Sequence, residues 1–108
     1  MKKLISGIAV LAVLCLAAGV VSAQDVANGE KVFKAKCVSC HGPDGKGDTA
    51  AGKATKARDF SSDEVKKESD ATWTEIIVKG KNKMPGYDKK ITDAEVKDVV
   101  AYMRTLIK

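Results

Sequence analysis

The sequence predicts a small all-α domain of three to four short helices. The clearest signal is at the end of the chain, where Thr92 and Glu95 have capping-box spacing and apolar residues recur at helical spacing from Val96 to Ile107. A second apolar face falls on the middle of the chain, and no stretch alternates as a strand does. A length of 108 residues allows one domain, which excludes a multidomain enzyme.

The first predicted helix begins after Asp25, a residue type that caps helix N-termini. Gly29 lies inside this helix, where glycine is unfavourable, so we expect another element to approach the backbone closely there. The other residues on this helical face are Val26, Phe33 and Cys37.

A middle helix is predicted from Asp70 to Lys79, with its apolar side at Trp73, Ile76 and Ile77 and with Gly80 as its C-cap. The spacing Ser61-x-x-Glu64 predicts one further short turn. Residues 42–59 are polar and rich in glycine, which predicts a loop over a cofactor.

The N-terminus has the pattern of an export signal. Lys2 and Lys3 form a positive start, an uncharged apolar run follows, and a small-residue cleavage site ends at Ala23. We therefore predict a signal peptide over 1–23, cleaved after Ala23, and a mature periplasmic domain over 24–108 with a net charge of +3. An uncleaved anchor is the alternative, because the apolar run reaches the lower limit for a membrane span.

The segment Cys37-Val38-Ser39-Cys40-His41 has the C-x-x-C-H pattern of covalent haem attachment. Two thiols at this spacing can reach the two vinyl groups on one porphyrin edge, and the following imidazole can bind the iron. Cys15 would leave with the signal, so Cys37 and Cys40 are the two cysteines of the mature chain. The pattern predicts one haem c.

Three alternative roles for the two cysteines are less well supported. A structural zinc site needs four ligands, whereas Cys37, Cys40 and His41 supply three. A redox dithiol accompanies a βαβ pattern, which the sequence lacks. A disulfide across two residues closes too small a loop to stabilise the chain much.

The sixth iron ligand is predicted to be Met84. His41 is the single histidine, which excludes two histidine ligands from one chain. Met84 lies in a polar loop where Pro85 restricts its backbone to extended conformations, whereas Met103 lies in the apolar stripe of the last helix and is expected in the core. The remaining candidates are Lys81, Lys83 and a solvent-open iron.

From residue 25 to residue 108 the chain resembles the class I c-type cytochromes, in particular small bacterial monohaem members. The matching features are Gly29-x-x-x-Phe33, Cys37-x-x-Cys40-His41-Gly42, Met84-Pro85 and Tyr102. The resemblance implies a small cytochrome c fold of three to four helices around one covalent haem. It also implies that the first and last helices cross where Gly29 makes room for the Tyr102 ring, and that a Met-Pro loop supplies the axial methionine.

Ligation by His41 and Met84 predicts a monomeric one-electron carrier between periplasmic redox partners, and no enzyme activity. Both axial positions are then filled, and a thioether raises the reduction potential. The alternative is a haem-bearing electron-transfer subunit stably bound to an oxidoreductase. If the signal is cleaved, no stable membrane anchor is expected.

Basic residues cluster in the two predicted loops, and if these loops border the haem they would steer acidic redox proteins to it. A merely solvated face is the alternative, and nucleic acid is not expected as a partner. The basic residues are Lys46, Lys53, Lys56, Arg58, Lys79, Lys81, Lys83, Lys89 and Lys90.

Four further residues are candidates for contact with the haem or its ligands. Trp73 is a candidate to pack over the porphyrin or to contact a propionate, with core packing as the alternative. Lys56 and Arg58 are candidates to pair with a propionate, with simple solvation as the alternative. Tyr87 is a candidate for contact with the ligand loop. The resemblance also implies that a backbone carbonyl in the loop after the haem motif accepts a hydrogen bond from the second ring nitrogen of His41.

Overall fold

The computed structural model describes residues 24–107, which form an all-α fold; the predicted signal peptide lies outside the described residues. The described part contains six helices rather than three or four, because two of them are single turns of four residues. They are α1 (Val26–Lys36), α2 (Val38–His41), α3 (Ala50–Thr55), α4 (Asp63–Lys66), α5 (Asp70–Lys79) and α6 (Asp93–Thr105).

The helices begin where side chains satisfy their free N–H groups. The Asp25 carboxylate accepts from the backbone N–H of Asn28 at 3.0 Å, which confirms the predicted cap of α1. At α6 the capping box is complete, since the Thr92 hydroxyl accepts from Glu95 N and the Glu95 carboxylate accepts from Thr92 N. The predicted bounds of α5 are also confirmed.

Two local predictions were wrong. The predicted loop over 42–59 contains α3, because the Thr49 hydroxyl caps it by accepting from Gly52 N at 2.8 Å. The cap of α4 is Ser62 rather than Ser61: the Ser62 hydroxyl accepts from Val65 N, whereas Ser61 bonds to Asp59. Adjacent serines offer the same cap chemistry, so spacing alone did not distinguish them.

Helices α1 and α6 pack directly against each other, as the family resemblance implied. A Cβ atom added to Gly29 would lie 2.0 Å from the carbonyl oxygen of Asp98 and 3.0 Å from Cβ of Tyr102. The missing side chain therefore makes room chiefly for the α6 backbone rather than for the Tyr102 ring. The Asp98 carboxylate also accepts from Asp25 N and from the Asn28 amide, which secures the start of α1.

The core lies between α1, α5 and α6 and includes the loop residue Phe60. Phe33 is fully buried and lies 5.4 Å from the Tyr102 ring, centroid to centroid. The buried apolar residues are Val32, Phe33, Phe60, Val65, Trp73, Ile77, Ile91, Val96, Val99, Val100 and Met103. Within residues 24–107, no helix combines the length and the apolar character needed to cross a bilayer.

Arg104 on α6 joins three helices. Its guanidinium lies 3.7 Å from the centroid of the Trp73 ring and donates to the Asp70 carboxylate at 2.8 Å. It also donates to the backbone carbonyls of Lys66 and Glu68, at the end of α4. A planar guanidinium can stack and donate at once, so one side chain holds α4 and α5 against α6.

Candidate haem site

A cavity of about 450 Å³ brings the four predicted site residues together. Cys37, Cys40 and His41 lie on its lining, and so does Met84, which is more than forty positions further along the chain. The volume is within the usual range for bound organic ligands. Its apolar lining residues are Phe60, Val65, Trp73, Ile76, Ile77, Pro85 and Met103.

The two cysteines are placed by the turn that follows α1. Cys37 ends α1 by donating its backbone N–H to Phe33 O, and its own carbonyl accepts from His41 N at 3.0 Å. Both thiols are unpaired in the structure. Burial raises the pKa of Cys37 to about 11, and nearby Cys40 adds to the rise. Redox-active dithiols have a lowered thiol pKa, which is the opposite direction.

His41 follows Cys40 at the end of α2. Burial lowers the pKa of the imidazole, which favours the neutral ring that binds metals. Its buried Nδ1 atom lies close to the backbone of Arg58, which opposes the fall in the pKa, but the contact is not a well-formed hydrogen bond. Arg58 is in the loop after the haem motif, so its carbonyl is the candidate for the acceptor that the family resemblance implies. The Phe60 ring lies beside the imidazole, with 4.8 Å between centroids.

Met84 is held in a tight loop after α5. Its backbone N–H donates to Lys81 O at 2.9 Å, and its carbonyl accepts from Lys81 N at 3.1 Å. Tyr87 closes the loop: its backbone N–H donates to Ile77 O on α5, and its hydroxyl donates to Lys36 O at the end of α1. Tyr87 and the half-buried Met84 side chain both line the cavity, and contact of Tyr87 with the ligand stays a prediction.

Two residues predicted as candidates for a propionate have protein partners instead. The Trp73 indole donates to Val65 O at 3.1 Å, and Arg58 forms a bidentate pair with Glu68 at 2.8 and 2.9 Å. Both side chains still lie on the cavity lining, so they form part of its wall. The Arg58 guanidinium lowers the pKa of Glu68.

Met103 was predicted as a core residue, and its side chain is 7% exposed. It also lies on the cavity lining. Met103 therefore borders the same cavity as Met84, but from a buried position of α6 rather than from a loop.

The donor set of the cavity fits haem c. Two thiols at C-x-x-C spacing can form the thioethers, and an imidazole and a thioether are the two side chains that ligate iron in cytochromes c. The apolar walls suit a porphyrin plate, and four lysines at the lining are available to its carboxylates. These are Lys36, Lys56, Lys81 and Lys83.

The chain was compared with known families and proteins. Residues 24–103 match the family model of the cytochrome c oxidase, cbb3-type, subunit III. The chain belongs to this family of c-type cytochromes. The match covers most of the chain and includes the C-x-x-C-H segment. It shows that the chain is a class I c-type cytochrome.

Two relatives of this cytochrome are both named cytochrome c6, and a solved structure is that of another c-type cytochrome. Cytochrome c6 of Gloeothece citriformis (strain PCC 7424) is 34% identical, over 95% of this chain and 93% of its own. Cytochrome c6 of Parathermosynechococcus lividus is 33% identical, over 73% and 87%. The solved structure of the c-type cytochrome KustC0563 has a TM-score of 0.68 and 35% identity, and the match covers 74% of this chain and 98% of that one.

These comparisons show that the cytochrome binds haem c covalently, with Cys37 and Cys40 in the attachment position, and that it carries electrons. Sequence reasoning missed Phe60, which lines the cavity, and Glu68, which pairs with the lining residue Arg58. Neither belongs to a motif: Phe60 is an isolated aromatic in a polar stretch, and Glu68 is one of several acidic residues nearby. Only the path of the chain brings them to the site.

Proposed function

We propose that this cytochrome is a periplasmic, monomeric one-electron carrier whose iron lies between His41 and Met84. The observation that carries the proposal is the single cavity lined by Cys37, Cys40, His41 and Met84. The match to the family model begins at residue 24, which supports a mature domain that starts after the predicted cleavage site.

When bound, haem c supplies an iron that accepts and releases one electron. The chain's own residues set the conditions for that exchange. His41 and Met84 would both ligate the iron, which would leave no open coordination site for a substrate, so no enzyme activity is expected. A thioether is a soft ligand that favours the ferrous state. The hydrogen bonds of the Met84 loop would hold this ligand in place.

The axial ligands are tested by a matched pair of variants, Met84→Leu and Met103→Leu, in the haem-loaded protein. Each change removes one sulfur and keeps an apolar side chain of similar volume. Met84→Leu should abolish the red-region absorption band of the ferric protein and allow the reduced protein to bind carbon monoxide rapidly. Met103→Leu should do neither. Loss of the band in the Met103 variant alone would assign the axial ligand to α6 instead.

Redox partners are expected to present acidic surfaces. Four lysines line the cavity, namely Lys36, Lys56, Lys81 and Lys83, while Arg58 is already paired. Of the other lysines in the two loops, Lys53 and Lys79 have acidic partners of their own. Among residues 24–107, the cavity lining contains the four lysines and Arg58 but no Asp or Glu, so its positive charge can orient an acidic protein.

This docking is tested by rates of electron transfer to an acidic redox protein at increasing ionic strength. The double charge reversal Lys81→Glu/Lys83→Glu should slow the second-order rate and flatten its salt dependence. The control is Lys31→Glu/Lys97→Glu, which changes the net charge by the same amount at two exposed positions of α1 and α6 away from the cavity lining. Equal slowing by the control would show that net charge, not the cavity rim, governs the encounter.

A second candidate is a haem-bearing subunit stably bound to an oxidoreductase, which the name of the matching family favours. The two candidates differ in hydrodynamic size. Gel filtration of a native periplasmic extract, followed by haem absorbance, should place a free carrier below the 11.5 kDa of the full 108-residue chain, because the signal peptide has been removed. Elution of all the haem signal at the size of a larger complex would support the second candidate.

A further inference from the structure

Phe60 is the aromatic side chain that contacts the proximal imidazole. Its ring and that of His41 are 4.8 Å apart between centroids, with an angle of 33° between their planes. Phe60 is 4% exposed, although it lies in the loop between α3 and α4. A loop aromatic this deeply buried beside a metal-binding side chain requires a reason.

The Phe60 ring is held on three sides. Phe33 and Trp73 lie 6.2 and 5.5 Å from it, centroid to centroid. On the third side is Gly45, whose added Cβ would meet the edge of the ring, and whose carbonyl accepts a hydrogen bond from Phe60 N at 2.9 Å. Gly45 has a φ of +76°, so the chain uses glycine here for both conformation and space. The ring therefore cannot swing away from His41.

The His41 ring has two neighbours that can fix its orientation. A metal-binding histidine usually donates its second ring N–H to a carbonyl or a carboxylate, which sets the ring plane, and the backbone of Arg58 lies close to the buried Nδ1 atom without completing a well-formed hydrogen bond. The immobilised Phe60 ring is the second neighbour and restricts rotation of the imidazole by direct ring contact.

We infer that Phe60 is a positioning residue that sets the plane of the His41 imidazole, and through it the orientation of the axial ligand on the haem iron. The inference rests on the proposed ligation by His41. Iron d orbitals interact with the ring π system in a direction set by that plane, so the ligand orientation controls how unpaired spin is distributed over the porphyrin. Phe60 acts on the iron only through the imidazole that it contacts.

The test compares Phe60→Leu with Val99→Ala in the haem-loaded ferric protein by paramagnetic proton NMR. The four haem-methyl resonances report the ligand planes through their order and spread. Phe60→Leu should change this pattern, whereas Val99→Ala shortens a fully buried side chain of α6 that lies outside the cavity lining and should leave the pattern unchanged. An unchanged pattern in Phe60→Leu, or equal changes in both variants, would overturn the inference.

Gly45→Ala gives a second reading, because it displaces the Phe60 ring without removing it. Gly45→Ala should change the haem-methyl pattern in part. If Phe60→Leu does not accumulate as folded protein, Gly45→Ala becomes the test of whether Phe60 sets the imidazole plane. An unchanged pattern in Gly45→Ala would then refute the inference. The strongly shifted methyl signal of an iron-bound methionine in the unmodified protein checks the proposed function separately. Its absence would refute the ligation by Met84, whatever the variants show.

Discussion

Replacing Gly29 by alanine should destabilise the cytochrome, although alanine is the better helix former. The new methyl carbon would lie 2.0 Å from the Asp98 carbonyl oxygen, whereas ordinary contact begins at 3.4 Å. Helices α1 and α6 would therefore have to separate by more than 1 Å at their crossing. Overpacking of this kind costs about 3 kcal/mol, and the gain in helix propensity returns about 1 kcal/mol, so the expected net loss is about 2 kcal/mol.

The assays are urea unfolding and thermal unfolding of the haem-loaded protein, both followed by far-UV circular dichroism. A loss of about 2 kcal/mol lowers the melting temperature of a domain this size by roughly 8–16 °C. The matched control is Ala35→Gly, at an exposed position of the same helix. It changes helix propensity without a packing change, and should cost about 1 kcal/mol.

The outcome of Gly29→Ala distinguishes packing from propensity by its sign. Stabilisation of about 1 kcal/mol would be equal in size and opposite in sign to the effect of the control. It would mean that α1 and α6 do not approach as closely as the structure shows. A neutral result would refute the estimated overpacking cost. Destabilisation accompanied by a change in the urea dependence would indicate a less compact native state rather than local strain.

Three further substitutions should have defined effects. Arg104→Met should cost about 2–3 kcal/mol in urea unfolding, because it removes the stacking on Trp73 and several hydrogen bonds; a loss below about 1 kcal/mol would contradict this role. Glu68→Gln should cost about 1 kcal/mol at pH 7, a modest value because the pair with Arg58 is partly exposed to water. Since the folded pKa of Glu68 is lowered, this stabilisation exists above the ordinary value of 4.5 and is lost as pH falls through the folded pKa. The variant and the parent should therefore converge in acid, and a constant difference would exclude the ion pair as the cause. Tyr87→Phe should lower by about 0.5–1 kcal/mol the stability of the loop that carries the proposed methionine ligand, measured as earlier loss of the red band in denaturant; an unchanged midpoint would show that the hydroxyl does not secure the loop.

Motifs and short-range patterns predicted much of this cytochrome. The C-x-x-C-H segment is chemically specific over five residues, so the haem followed from it without any knowledge of the fold. The caps at Asp25 and Thr92 were also predictable, because a side-chain cap acts over about three positions. The same reasoning failed at α3, a short helix in a stretch rich in glycine, where composition favoured a loop.

Contacts between distant positions were decided by the tertiary structure. Sequence spacing and the family resemblance proposed Met84, but only the folded chain places it on the same cavity as His41. The pairing of Arg58 with Glu68 and the contact of Phe60 with His41 leave no periodic trace in the sequence.

There is a physical reason why the sequence predicts the helix caps and the haem motif, whereas the tertiary structure decides the wall of the cavity. Helix caps and the haem motif depend on groups a few residues apart, whose distances follow directly from backbone geometry. The wall of the haem cavity is formed by segments whose separation along the chain does not limit their distance in space. The identities of its residues are written in the sequence, but their neighbours are set by how α1, α5 and α6 pack.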